Sequence, residues 1–150
     1  MKESPYQIST SRFFRLLIKA PNLEQFINNN VAETQILSFS EYISGLCKEQ
    51  GNIAERIIKC ANIERSFGHQ IFKGTRNPSR DTVLQLAFGF RADVDMAQEL
   101  LKHARMSPLY PRMKRDAAII YCLHHHFSVM ETQQVLHEMG LPLLGNGVKK

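Results

Sequence analysis

Long apolar runs are missing from this chain of 150 residues. In the N-terminal region the longest unbroken one, Leu16 to Ile18, is too short to cross a bilayer or to form a signal-peptide core. The expected location is therefore the cytoplasm, with no membrane partner. Cysteine is scarce as well: Cys47, Cys60 and Cys122 are isolated and odd in number, and each sits in an apolar helical pattern. That excludes a disulfide framework and predicts three reduced, small core residues. No segment alternates with the period of a strand, and none reads as repeating at periods of about 20 to 50 residues.

Catalytic signatures are missing too. There is no glycine-rich phosphate cradle, no Gly-x-Ser-x-Gly elbow and no cysteine with a histidine partner signature, so neither a catalytic residue nor a cofactor is expected. Asp93 and Asp95 stand at a helix start, where the macrodipole accounts for them. The run His124-His125-His126, with His103 and His137, invites a metal reading. Consecutive helical residues point about 100° apart, however, and cannot all grip one ion. His126 and His137 could meet across a hairpin, but no Cys or carboxylate stands at zinc-like spacing around them, and no metal site is expected.

What is present is globular: 43% hydrophobic and 22% charged residues, a net charge of +5 and a pI near 9.3. The mild basic excess suits a polyanionic partner without proving one. The periodicity predicts an all-α chain in three segments: an N-terminal helical extension over 1–38, a central helical domain over 39–106, and a helical hairpin with a mobile tail over 107–150. Capping-box spacing at Asn22/Gln25, Ser38/Glu41, Asn52/Glu55 and Ser128/Glu131 marks four helix starts. Residues 1–9 read as a loose lead-in, Thr10 to Ala20 as a basic amphipathic helix ended by Pro21, and Leu23 to Asn30 as a second helix. Phe39 to Gln50 carries an apolar stripe. Val83 to Phe90 is apolar nearly all round and is the predicted centre of the core. Asp93 caps Val94 to Ala104, Ser107 to Pro111 is a stiff link, and Arg112 to Phe127 and Ser128 to Met139 form the closing hairpin. Gly140 and Pro142 end it, and the Gly-Asn-Gly tail is expected to be mobile.

The chain is organised around Ala54 to Gly74. Ile53, Ile57, Ile58 and Ala61 make one buried stripe, and Asn62 suits the left-handed conformation of a tight turn. Ile63 is the buried peg. A second helix runs from about Glu64 to Lys73, with Phe67, Ile71 and Phe72 inward and Gly74 closing it. Arg65, Ser66, His69, Gln70, Lys73 and Arg76 remain on one outward face. Between Arg65 and Arg80 there are four Lys or Arg and no acid. Such a face suits a major groove, with Arg65, Ser66, His69 and Gln70 reading base edges and Lys73, Arg76 and Asn77 holding phosphate. An ordinary solvated helix face is the plain alternative.

With these residues in view, about 39 to 106 resembles the five-helix domain of lambda-repressor-like (XRE, or Cro/C1-type) transcription regulators. The resemblance is carried by the Asn62-Ile63 turn, Gln70-Ile71-Phe72-Lys73-Gly74, Asn77-Pro78-Ser79-Arg80 and Leu86-Ala87. It implies a helix-turn-helix, double-stranded DNA as partner, transcription regulation, and a homodimer on a palindromic site. The rest of the chain is similar to a longer subgroup with an added N-terminal helical segment. Three departures stand out: Asn62 replaces the usual Gly, Glu64 replaces a Ser or Thr cap, and a large residue at Ile58 is exchanged with a small one at Gly68. An Ile58 methyl filling the volume left by Gly68 would conserve core volume. The second functional reading is a non-catalytic protein-interaction module that keeps this fold and holds a partner through its N-terminal helix or C-terminal hairpin.

Overall fold

The computed structural model describes residues 10–30 and 37–147, and the described residues are helical with no strand among them. They divide into two compact units, before and from Ser38. The first holds α1 (Thr10–Lys19) and α2 (Leu23–Asn30). Asn22 accepts the Gln25 N–H at 2.8 Å at the start of α2, and Phe13 meets Phe26 edge to face with ring centres 5.5 Å apart. The expected lead-in over 1–9 lies outside the described residues.

The second unit holds α3 (Phe39–Glu49), α4 (Ala54–Cys60), α5 (Arg65–Lys73), α6 (Arg80–Gly89), α7 (Val94–His103), α8 (Lys114–His124) and α9 (Val129–Glu138), followed by a 3-10 turn at Leu144–Gly147. Its axis is α6. Every residue from Thr82 to Phe90 is buried, because α4, α7, α9 and the 3-10 turn pack around this helix. Ile43, Leu46 and Cys47 bring α3 into the same core, and Tyr42 stacks on His103 of α7 at 3.8 Å. Ser38/Glu41 and Ser128/Glu131 form complete capping boxes, and Ser79 and Asp93 cap α6 and α7.

Four expectations need correction. No Asn52/Glu55 box forms: Ile53 is the N-cap of α4 without a side-chain cap, and the Asn52 oxygen accepts the adjacent Ile53 N–H. Cys60, the last residue of α4, is exposed, whereas Cys47 and Cys122 are buried and burial raises both thiol pKa values. The start of the tail takes regular structure, with Leu144 buried and the Leu144–Gly147 3-10 turn packed on α6. Residues 148–150 lie outside the description.

The fourth correction concerns repetition. The α6–α7 and α8–α9 pairs are two copies of one 35-residue skeleton: Arg80/Arg115, Asp81/Asp116, Gln98/Gln133 and Leu109/Leu144 are each 35 positions apart. In the first copy the Gln98 amide grips both backbone groups of the buried Leu109, at 2.8 and 3.1 Å. In the second Gln133 does the same to Leu144, at 2.8 and 2.9 Å. Arg80 donates to the Ser107 and Pro108 carbonyls and forks onto Asp116. Arg115 donates to the equivalent Pro142 and Leu143 carbonyls and forks onto Asp81. Each copy thus supplies the arginine for the other copy's aspartate. This reciprocal pair of bidentate bridges ties the closing hairpin to α6.

Removing one member leaves a largely buried charge unpaired. Asp116→Asn is expected to destabilise the fold by about 3 kcal/mol, read as a denaturant midpoint shift. Burial alone would raise the Asp81 pKa, but Arg115 and the Gly145 N–H outweigh it, so the carboxyl titrates below its ordinary value. A depressed folded-state pKa gives stability that is present above the unfolded value, near pH 4, and lost as pH falls through the folded one. The stability gap between wild type and Asp81→Asn should therefore be full at pH 7 and shrink as pH drops below about 4. A gap independent of pH down to about 2 would contradict this assignment.

Candidate functional site

The α4–α5 unit is held from two sides. A Cβ placed on Gly68 of α5 would lie 2.5 Å from Ile58 Cγ2, and one on Gly89 of α6 would lie 2.7 Å from the Ile57 carbonyl oxygen. Only glycine at both positions lets α4 nest so closely between α5 and α6. The exchange of large and small residues is real packing: Ile58 is buried at 2% exposure against Gly68.

The turn between the helices has its own anchor. Asn62 takes φ 59°, and the buried Gln85 amide of α6 donates to the Ala61 and Asn62 carbonyls at 3.1 and 3.2 Å. Gln85 thereby satisfies carbonyls that the end of α4 leaves open. Ile63 is half-buried rather than buried. The expected weakness at Glu64 is offset, because its carboxylate accepts the Ser66 and Phe67 N–H groups at 3.0 and 2.9 Å. Those bonds, the one to Phe67 first, lower the Glu64 pKa. Gly74 ends α5 with φ 85°.

Arg65, Ser66, Gln70 and Lys73 are exposed on α5, Arg76 and Asn77 are exposed in the loop that follows, and His69 is half-buried. The guanidinium of Arg76 lies over the Phe67 ring, 5.4 Å from its centre. The face is less cationic than the sequence interval implied. Glu55 reaches over from α4, its Oε1 accepting His69 Nε2 and its Oε2 accepting Arg65 Nε, both at 2.8 Å. These contacts, His69 first and then Arg65, lower the Glu55 pKa. Arg80, counted with this face in the sequence, is committed to Asp116. Two of the four cations thus already have acidic partners, which corrects the expectation of a face free of acid.

Arg65 uses only Nε for Glu55, so its two terminal amino groups point to no hydrogen-bond partner among the described residues. A guanidinium held through Nε has fewer orientations to lose when those groups meet a planar acceptor. Glu55 and Gln85 are the residues that sequence reasoning missed. The spacing of Glu55 from Asn52 points to a cap on its own helix, and Gln85 lies within an apolar stretch that carries no local signal of its role. Among the described residues there is no group of three or more His, Cys, Asp or Glu side chains arranged to hold a metal. No helix of the described chain is long and apolar enough to cross a membrane. Compared with protein-family models, curated proteins and solved structures, the chain matches none.

The glycine contact yields a sharp test. Gly→Ala in a helix normally gains about 1 kcal/mol. Here Gly68→Ala should instead destabilise, and Gly68→Leu should cost roughly 1–3 kcal/mol through overpacking against Ile58. Ile58→Ala should cost about 2–5 kcal/mol alone, yet be partly rescued when combined with Gly68→Leu. Additive losses in thermal melts of the double variant would remove the packing-exchange argument.

Proposed function

We propose that this chain is a sequence-specific DNA-binding transcriptional regulator of the kind its sequence resembles, the lambda-repressor-like helix-turn-helix proteins. One observation carries the reading. A short helix braced by Gly68, Gly89 and Gln85 offers Ser66, Gln70 and Lys73 at i, i+4 and i+7 on one exposed face, with Arg76 and Asn77 in the loop beyond. Rigid presentation matters because bidentate base contacts tolerate little misplacement.

In this reading α5 enters the major groove, and Ser66 and Gln70 meet base edges. Arg65 grips a guanine edge with its terminal amino groups while Glu55 steadies it and His69 from behind. Lys73, Arg76 and Asn77 hold phosphates. A homodimer on a palindromic site would double the few contacts that one such helix makes.

The alternative is a protein-interaction module that retains the fold, and Glu55 is the observation that favours it, since it sets an acid within the face that would meet phosphates. Selection of bound DNA from a random library, followed by titration against specific and random duplexes, separates the two. Regulation predicts a recovered two-fold motif; no shift of any duplex by micromolar protein at low salt would leave the interaction module. Gln70→Ala should reduce discrimination by about 1–3 kcal/mol, whereas Lys73→Ala should weaken all sequences alike and lower the salt slope by about 1. Glu55→Gln should raise affinity for random duplex while lowering the preference at the base that Arg65 meets. Equal changes on both duplexes would contradict its steadying role.

A further inference from the structure

The two repeat copies turn their corners at equivalent positions, Arg91 between α6 and α7 and His126 between α8 and α9, 35 residues apart. Both are left-handed, with φ 58° and 60°. Glycine is the usual residue for that conformation, and at the other equivalent pair of turns, Arg105 and Gly140, the second copy does use it. At Arg91 and His126 both copies instead keep a polar side chain at some cost in backbone energy. Both residues are exposed and border the same cavity of about 390 Å³. Neither side chain has a hydrogen bond or ion pair among the described residues; the two backbone N–H groups donate to the Phe88 and Leu123 carbonyls, at 3.0 and 3.1 Å.

The remaining walls define what would fit. Phe88 and Leu123, both buried, and the half-buried Phe127 give the cavity an apolar lining. Ser128 opens the ten-residue helix α9 at its edge, where the helix dipole favours a negative group. Glu131 also borders the cavity, but its Oε1 is already committed to the Ser128 N–H at 2.8 Å. Its charge offsets one cation, so recognition would rest on directional donors rather than on net charge. The volume lies within the range of small-molecule sites, about 300–1,000 Å³.

We propose that this cavity, at the stacked corners of the two repeats, binds a small organic carboxylate with an apolar body, its anionic head on Arg91 and His126 and its body against Phe88, Leu123 and Phe127. None of the residues that border the cavity lies on α5, and the proposal does not depend on DNA binding.

The test uses the whole chain and two probe acids, phenylacetate and 4-methylpentanoate, each against its neutral amide, followed by two-dimensional amide NMR. Saturable shifts centred on residues 88–92 and 123–131 are expected with the acids, and at least about tenfold weaker binding with the amides. Arg91→Gly and His126→Gly suit the left-handed backbone, so each should keep or raise the melting temperature. Each should also weaken the acids by about tenfold. The proposal is overturned if neither acid gives saturable shifts, if the shifts centre elsewhere, if the amides bind equally well, or if the glycine variants bind unchanged.

Discussion

The structure depends on how closely α4 can approach its two neighbours. A helix of seven residues has little stability of its own and takes its position from what it packs against. On one side its Ile58 fills the space above Gly68, and on the other its backbone lies over Gly89. A Cβ at Gly89 would press on the α4 backbone and one at Gly68 on the Ile58 side chain, and any outward shift of α4 would carry the turn carbonyls away from Gln85. The orientation of α5 follows from the same constraint, because a turn of four residues leaves the second helix few directions once the first is fixed. Packing in the core thus decides which side chains of α5 meet solvent.

Charge on that face is set by tertiary structure rather than by the segment itself. The interval from Arg65 to Arg80 holds no acid, yet Glu55 arrives from the preceding helix and Asp116 from a helix 36 residues beyond Arg80. The two acids act differently. Asp116 is buried and holds Arg80 partly buried beside it, whereas Glu55 is half-exposed and leaves Arg65 largely in solvent. A surface pair of that kind contributes little to stability. Its consequence is directional: it reduces the freedom of Arg65 and His69 and lowers the long-range attraction for polyanions at the same time.

Local signals in the sequence are legible where local chemistry decides. Ser38, Asp93 and Ser128 cap the helices they precede, Asn62 takes the left-handed turn, and the apolar run of α6 is the centre of the core. Failures arose where a residue had two possible partners. Glu55 has capping-box spacing from Asn52, but a cap competes with an arginine and a histidine on the next helix, and spacing cannot show that competition. Gln85 lies in a stretch that is apolar nearly all round, and nothing in the local pattern marks it as the anchor of the turn. The 35-residue repeat escaped because only the skeleton recurs. The arginine fork, its aspartate, the clamping glutamine and the clamped leucine are retained, while the residues between them change from Leu-Gln-Leu to Ile-Ile-Tyr and from Gly-Phe-Arg to His-His-His.

Those changed residues explain why one skeleton has two surroundings. In the first copy Gly89 and Gln85 admit α4 against α6, by close approach and by hydrogen bonds to its last carbonyls. The equivalent positions in the second copy are His124 and Ile120, which offer neither. Leu86 is fully buried in the first copy, whereas its counterpart Tyr121 is 56% exposed and lies with His125 and Phe127 in an aromatic cluster. A helix like α4 therefore has nowhere to seat on α8, and the stack ends there with aromatic and imidazole side chains facing water. The α4–α5 unit docks on the copy whose α6 carries Gly89, Gln85 and a buried Leu86, and the second copy has none of the three at the equivalent positions.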